Sequence, residues 1–269
     1  MTDCPPLQEP GPVVLSRVGL RFGDQQVLRD LTISVGRGET LVVIGESGCG
    51  KSVTLKLMMS LLEPTSGSVH WEGRLVSELG VGERDRCRLR LGYLFQNSAL
   101  FDSFDVFENV AFGLRELGDR DEAGIRRVVL DRLDEVGLSG SVCGQQPSEL
   151  SGGMRKRVAL ARALVLEPSV MLYDEPTTGL DPVMTGVINR LIVEVSEQRS
   201  VTSVVVTHDL STVRAVADRV VMLEPVSRLG DGEGQAIFTG TLPEALSSSD
   251  VRVSAFLHAG REALERKVG

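Results

Sequence analysis

The apolar positions follow two rhythms, and the places where the rhythm changes mark the elements. Residues 13–22 and 27–35 read as two strands joined by a turn at Gly23-Asp24. Residues 40–44 are short and almost wholly apolar, as in a strand covered on both faces of a parallel sheet. A glycine-rich run follows, then a helical pattern to about Leu62, closed by Pro64 and Gly67. Further strands are predicted over 68–71, 92–95, 170–173, 201–207 and 219–223, with a last edge strand over 235–239. Helical patterns cover 83–89, 106–114, 122–136, 151–167, 182–197 and 210–217, the fifth of these with proline in its first turn. From about 97 to 167 the pattern is helical without a good strand, which predicts a helical subdomain. Elsewhere strands alternate with helices, which predicts an α/β core with a largely parallel sheet. Residues 1–12 carry four prolines and no apolar core, and read as a flexible leader; 241–269 read as a C-terminal helical extension.

Composition narrows the partners. The 269 residues carry a net charge of −8, whereas a general nucleic-acid binder is usually basic. The basic run 84–90 reads as a solvated helix face. Cys4, Cys49, Cys87 and Cys143 form no C-x-x-C pair, which excludes zinc ribbons and fits a reducing compartment. No apolar run is long enough to cross a bilayer, so a membrane role calls for a partner chain.

Candidate chemistry sits where strands end. Gly45-Glu46-Ser47-Gly48-Cys49-Gly50-Lys51-Ser52 is a P-loop between a strand and a helix. Its glycines let backbone N–H groups turn toward phosphate, and the following helix offers its positive end. Lys51 is expected to reach the β- and γ-phosphates and Ser52 to bind Mg²⁺. The loop alone leaves kinases, GTPases and motor ATPases open, but the chain lacks the Asn-Lys-x-Asp run of guanine-selective GTPases. Asp174 and Glu175 close an apolar strand, the first suited to Mg²⁺ and the second to polarising water. His208 closes another strand and is assigned to the γ-phosphate. Gln96 closes a third, either as a ligand of Mg²⁺ or water, or as an ordinary loop glutamine.

Leu150-Ser151-Gly152-Gly153-Met154 opens a helix. With the P-loop, Gln96, Asp174-Glu175, the Gly179-Leu180-Asp181 loop and His208, all in order, the chain resembles the nucleotide-binding subunits of ABC transporters. The resemblance covers about residues 13–240. It implies a P-loop NTPase core, an antiparallel β-subdomain and a helical subdomain. It further implies a head-to-tail homodimer with ATP between the P-loop of one copy and Ser151, Gly152 and Gly153 of the other, and Asp181 at the seam. Phe22 matches the aromatic that stacks on adenine, with a core phenylalanine as the open alternative. Val53 stands where a second Ser or Thr is common, and Met154 replaces the commoner Gln.

The run Phe95-Gln96-Asn97-Ser98-Ala99-Leu100-Phe101, together with Val106-Phe107-Glu108-Asn109-Val110 and Gly152-Gly153-Met154-Arg155-Lys156-Arg157, resembles the ATPase of Mla-type phospholipid transporters. That subfamily implies an integral permease, an MCE-domain lipid-binding protein and an accessory subunit, with this chain on the cytoplasmic face of the inner membrane. An importer ATPase for amino acids or another small solute is the alternative. A non-transport cassette acting on nucleic acid or the ribosome is disfavoured by the charge and by the lack of a coiled-coil insertion or second cassette.

Overall fold

The structure, a computed structural model, describes residues 11–118 and 121–257. Its strands are β1 (Val13–Phe22), β2 (Gln25–Val35), β3 (Thr40–Gly45), β4 (Ser66–Trp71), β5 (Arg74–Leu75), β6 (Leu91–Leu94), β7 (Val170–Asp174), β8 (Thr202–Val206), β9 (Arg219–Leu223) and β10 (Ala236–Gly240). Its helices are α1 (Lys51–Met58), α2 (Val81–Arg88), α3 (Val106–Leu117), α4 (Glu122–Glu135), α5 (Gly152–Leu164), α6 (Pro182–Arg199), α7 (Leu210–Val216) and α8 (Leu242–Leu246). Residues 251–257 form a further helical segment.

Two sheets organise these elements. An antiparallel sheet runs β2-β1-β4-β5, and a six-stranded sheet runs β10-β9-β3-β8-β7-β6. Strands β6, β7, β8, β3 and β9 are parallel; β10 joins β9 antiparallel at the edge. All five parallel strands therefore end on one side of the molecule, where ligands of such sheets bind.

The larger sheet is a septum between two cores. Along β7, Val170 and Leu172 pack with the antiparallel sheet, α1 and Trp71. Met171 and Tyr173 pack on the opposite face with α3, α4, α5 and α6. This is the alternation expected of a strand covered on both sides. The C-terminal segment joins the second core through Val253 and Leu257, both buried. Helix α2 has no buried residue, in agreement with a solvated basic face.

Three expectations are corrected. The helix after the P-loop stops at Met58, not near Leu62, because Ser60 turns left-handed at φ 53° and Leu61 is thrown into solvent. The expected leader over residues 1–12 does not hold at its last two positions: Gly11 and Pro12 are buried, and the Pro12 carbonyl accepts a hydrogen bond from the Glu72 N–H. A side chain at Gly11 would put its Cβ 1.9 Å from the Val35 carbonyl oxygen. The rest of the expected leader, residues 1–10, and the end of the expected extension, residues 258–269, lie outside the described residues. Strand β5 was not foreseen, since two residues carry no period.

Candidate active site at the strand ends

Strand β3 delivers the P-loop and α1 carries it away. Gly45, Gly48 and Gly50 all have positive φ, which only glycine adopts freely. At Gly50 a Cβ would strike the Leu28 side chain at 2.6 Å, whereas at Gly48 it would meet only open space. Helix α1 begins without any side-chain cap, unlike α3 to α7, whose first turns are closed by Asp105, Asp121, Ser151, Asp181 and Asp209. Gly50, Lys51, Ser52 and Val53 at that end line a pocket at the strand ends, the kind of place where a helix N-terminus binds an anion.

The pocket has a volume of about 480 Å³ and is lined by Val27, Ser47, Gly48, Gly50, Lys51, Ser52, Val53, Gln96, Glu175 and His208. Four strand ends thus meet there, those of β3, β6, β7 and β8. The Lys51 ammonium donates to the Gly45 and Glu46 carbonyls at 2.9 and 3.1 Å and lies 3.8 Å from Glu175 Oε1. The Ser52 hydroxyl donates to Asp174 Oδ1 at 2.7 Å. The Tyr93 hydroxyl, on the neighbouring strand β6, donates to Asp174 Oδ2 at 3.0 Å. Burial, then the Asp174 charge, pushes the Tyr93 phenol well above its usual range, so it stays a donor.

Glu175 is gripped from three sides. His208 Nδ1 lies 2.9 Å from its Oε2, Thr178 Oγ1 donates to the same oxygen at 3.2 Å, and Lys51 stands by Oε1. Its backbone is left-handed at φ 47°, and its N–H is tied to the Val206 carbonyl at 2.9 Å. Strain of this kind survives only where the surroundings over-determine it.

The other predicted residues lie elsewhere. Glu46 points outward to Arg228, 2.7 Å away, which holds its carboxyl below the usual range. Cys49 is buried behind the loop, where desolvation pushes its thiol up. Phe22 is 51% exposed at the end of β1 and does not line the pocket, so the core alternative is excluded. Ser151, Gly152, Gly153 and Asp181 are outside this pocket as well. Ser151 caps α5 and Asp181 caps α6, and the two helix ends are pressed together: a Cβ on Gly153 would meet Met184 at 2.5 Å.

Sequence reasoning missed several supports. Gln235 is fully buried; its amide donates to the Cys49 carbonyl at 2.7 Å and the Val27 carbonyl at 3.3 Å, and its Oε1 accepts from the Arg29 N–H at 3.0 Å. It ties the P-loop to β2. Tyr93 and Lys156 were missed too. For Lys156 a signal existed, because it falls on the stripe Gly153, Lys156, Leu160, Leu164 that α5 buries.

The ABC transporter family pattern matches residues 28–178, more than half of the chain. This chain belongs to the ABC transporter family. Its cassette fold agrees with the ATP-binding cassette MJ0796, solved as a dimer in a post-hydrolysis state with ADP and Pi: TM-score 0.76, 29% identity, 86% of this chain and 98% of that one. The Haemophilus influenzae protein named as the intermembrane phospholipid transport system ATP-binding protein MlaF is 40% identical over 91% of this chain and 89% of its own length. The Mycobacterium leprae protein named as a probable ribonucleotide transport ATP-binding protein, mkl, is 43% identical over 75% of this chain, but the match spans only 58% of that protein's length. Within the cassette, the family pattern ends before His208, β8 and β9.

Proposed function

We propose that this chain is the ATP-hydrolysing subunit of a transporter and that it drives a separate integral permease moving phospholipid between membranes. The observation that carries the hydrolytic part is the three-sided grip on Glu175, opposite an uncapped helix N-terminus. In this reading the P-loop amides and Lys51 hold the β- and γ-phosphates. Gln96 and His208 border the γ-phosphate, and Glu175 takes a proton from the attacking water. Phe22, exposed on β1, is free to stack on the base. Ser52 Oγ and Asp174 Oδ1 are hard oxygen donors 2.7 Å apart, a pair suited to Mg²⁺, which keeps several waters and needs few protein ligands. When bound, Mg²⁺ would neutralise charge on the phosphates. Tyr93 would leave Asp174 aimed at that ion through a single oxygen.

The likeness to a cassette solved as a dimer with ADP and Pi supports a second copy as the other half of the site: Ser151, Gly152 and Gly153 of one chain, in a first turn without acidic residues, would close on the γ-phosphate held by its partner. Asp181 would lie at the seam. Phe95, next to Gln96 in the chain, and Phe101 and Phe112 are large exposed apolar side chains, and Phe101 packs edge-on against Phe104 at 5.3 Å and tilted against Phe112 at 5.1 Å. Such a cluster suits a buried helix of the permease. No helix among the described residues is long and apolar enough to cross a membrane. Attachment to the cytoplasmic face of the inner membrane would thus come from the permease. A lipid-binding MCE protein and an accessory subunit complete the expected assembly.

The likeness to the Haemophilus protein over nearly the full chain supports the phospholipid cargo. The name of the mycobacterial relative favours a ribonucleotide as the second reading. Co-purifying the detergent-solubilised complex and extracting what it carries separates them. Stoichiometric phospholipid supports the first reading, and a nucleotide cargo with no bound lipid overturns it. For the cradle itself, Lys51→Ala is expected to weaken MgATP binding roughly ten- to a hundredfold, the worth of a hydrogen bond to a charged group. An equilibrium titration with unchanged affinity would remove Lys51 from the phosphate site.

A further inference from the structure

Lys156 is an odd residue for its position. It stands on α5, five residues after Ser151, yet only 4% of it is exposed. An ammonium in such a place is costly unless it is paired. Its Nζ donates to the Gln96 carbonyl and, at 3.4 Å, to the Glu175 carbonyl. It therefore touches, at once, the backbone of two loops that end different strands and the helix that opens with Ser151. Burial holds the amine down to about 8, against the pull of the Asp174 and Glu175 carboxylates.

Both loops need holding. Glu175 is left-handed, and so are Ser98 and Ala99, just after Gln96, with φ of 63° and 49°. Non-glycine residues keep such backbones only under restraint. The same helix supplies a second restraint: Arg162 donates to the Ser98 carbonyl at 3.0 Å and to the Ala99 carbonyl at 2.8 Å. Helix α5 thus grips the Gln96 loop twice, and through Lys156 it also reaches Glu175.

We propose that Lys156 is a positioning residue for hydrolysis, fixing the backbones of Glu175 and Gln96 to the helix that begins at Ser151. The first turn of that helix serves the nucleotide held by the partner copy, so Lys156 links closure on the partner's phosphate to the geometry of this chain's own base. The inference rests on the hydrolytic reading above. The hydrogen bonds of Lys156 go to main-chain oxygens, so they occupy neither the Gln96 amide nor the Glu175 carboxylate. Misplacing a base by about 1 Å is enough to lower a rate on the order of a hundredfold.

The test compares Lys156→Met, Lys156→Gln and Lys156→Arg with the parent in the co-purified complex. MgATP affinity is measured by equilibrium titration, and ATPase kcat is expressed per nucleotide-binding site, at a temperature below each protein's melting point. Lys156→Met is expected to bind MgATP within about twofold of the parent and to lose ten- to a hundredfold in kcat. Lys156→Arg, which keeps charge and donors, is expected to recover at least a third of the parent kcat. Lys156→Gln, neutral and one atom shorter, decides the matter should the Met protein not fold, with the same loss expected. A parent-like kcat per site in either neutral variant overturns the proposal, because a lysine that only covers two carbonyls would move the melting temperature alone. A loss seen wholly in affinity overturns it as well. A parent complex with no ATPase activity overturns the hydrolytic reading itself, an outcome distinct from an active parent with unaffected variants.

Discussion

Glu175→Gln is expected to leave MgATP affinity within about twofold of the parent and to lower turnover by roughly 10²- to 10⁴-fold, the usual worth of a general base. The substitution keeps the length and most of the volume of the side chain. It removes the charge that faces Lys51 and the basic oxygen that a water needs. The Glu175 backbone is fixed by its own N–H bond to Val206 and by the Lys156 contact, neither of which depends on the carboxylate. Binding and chemistry should therefore separate. The protein is expected to accumulate as an ATP-bound dimer, visible as a shift in size-exclusion elution on adding MgATP. Phosphate release at the parent rate would remove Glu175 from the reaction.

Ser151→Arg is expected to abolish steady-state ATPase activity while the monomer binds nucleotide as before. Ser151 does not line the pocket of its own chain, so it is not expected to contribute to the first binding step. Its hydroxyl accepts the Met154 N–H at 3.2 Å and opens α5. Loss of that cap costs about 1 kcal/mol, too little to unfold the chain. The arginine would fill the space above Gly152 and Gly153 where a partner's phosphate is expected to sit. Titration of the isolated chain and ATPase of the assembled complex, measured side by side, check both halves. Surviving activity would sink the two-copy site.

Much of this was legible in the sequence because the chemistry needs fixed residue types at fixed spacing. A P-loop between strand and helix leaves few alternatives, and Asp174-Glu175 reads plainly once that loop is present. What escaped were residues that serve the site from behind. Gln235, Tyr93 and Lys156 are far from Lys51 in the chain, and each acts through main-chain atoms or a carboxylate of another element. Lys156 hid within Arg155-Lys156-Arg157, a run that looks solvated unless the burial stripe of α5 is drawn. The end of α1 escaped for a different reason. Leu61 and Leu62 continue the apolar pattern, but a left-handed Ser60 breaks the helix first. Phe22 was ambiguous because an aromatic at a strand end suits a core and a base equally, and only exposure separates the two.

The order of strands in the larger sheet has a consequence for how the protein is born. Strand β3, which carries the phosphate loop, is flanked by β8 and β9. Its register is set by Val42 against Val205 on one side and Val220 on the other. β3 is therefore translated well before either neighbour, since β8 begins at Thr202 and β9 at Arg219. Pairings of such long sequence separation form slowly. The nascent chain must carry β3 without its flanking strands until β8 and β9 emerge, and the phosphate cradle can rigidify only then.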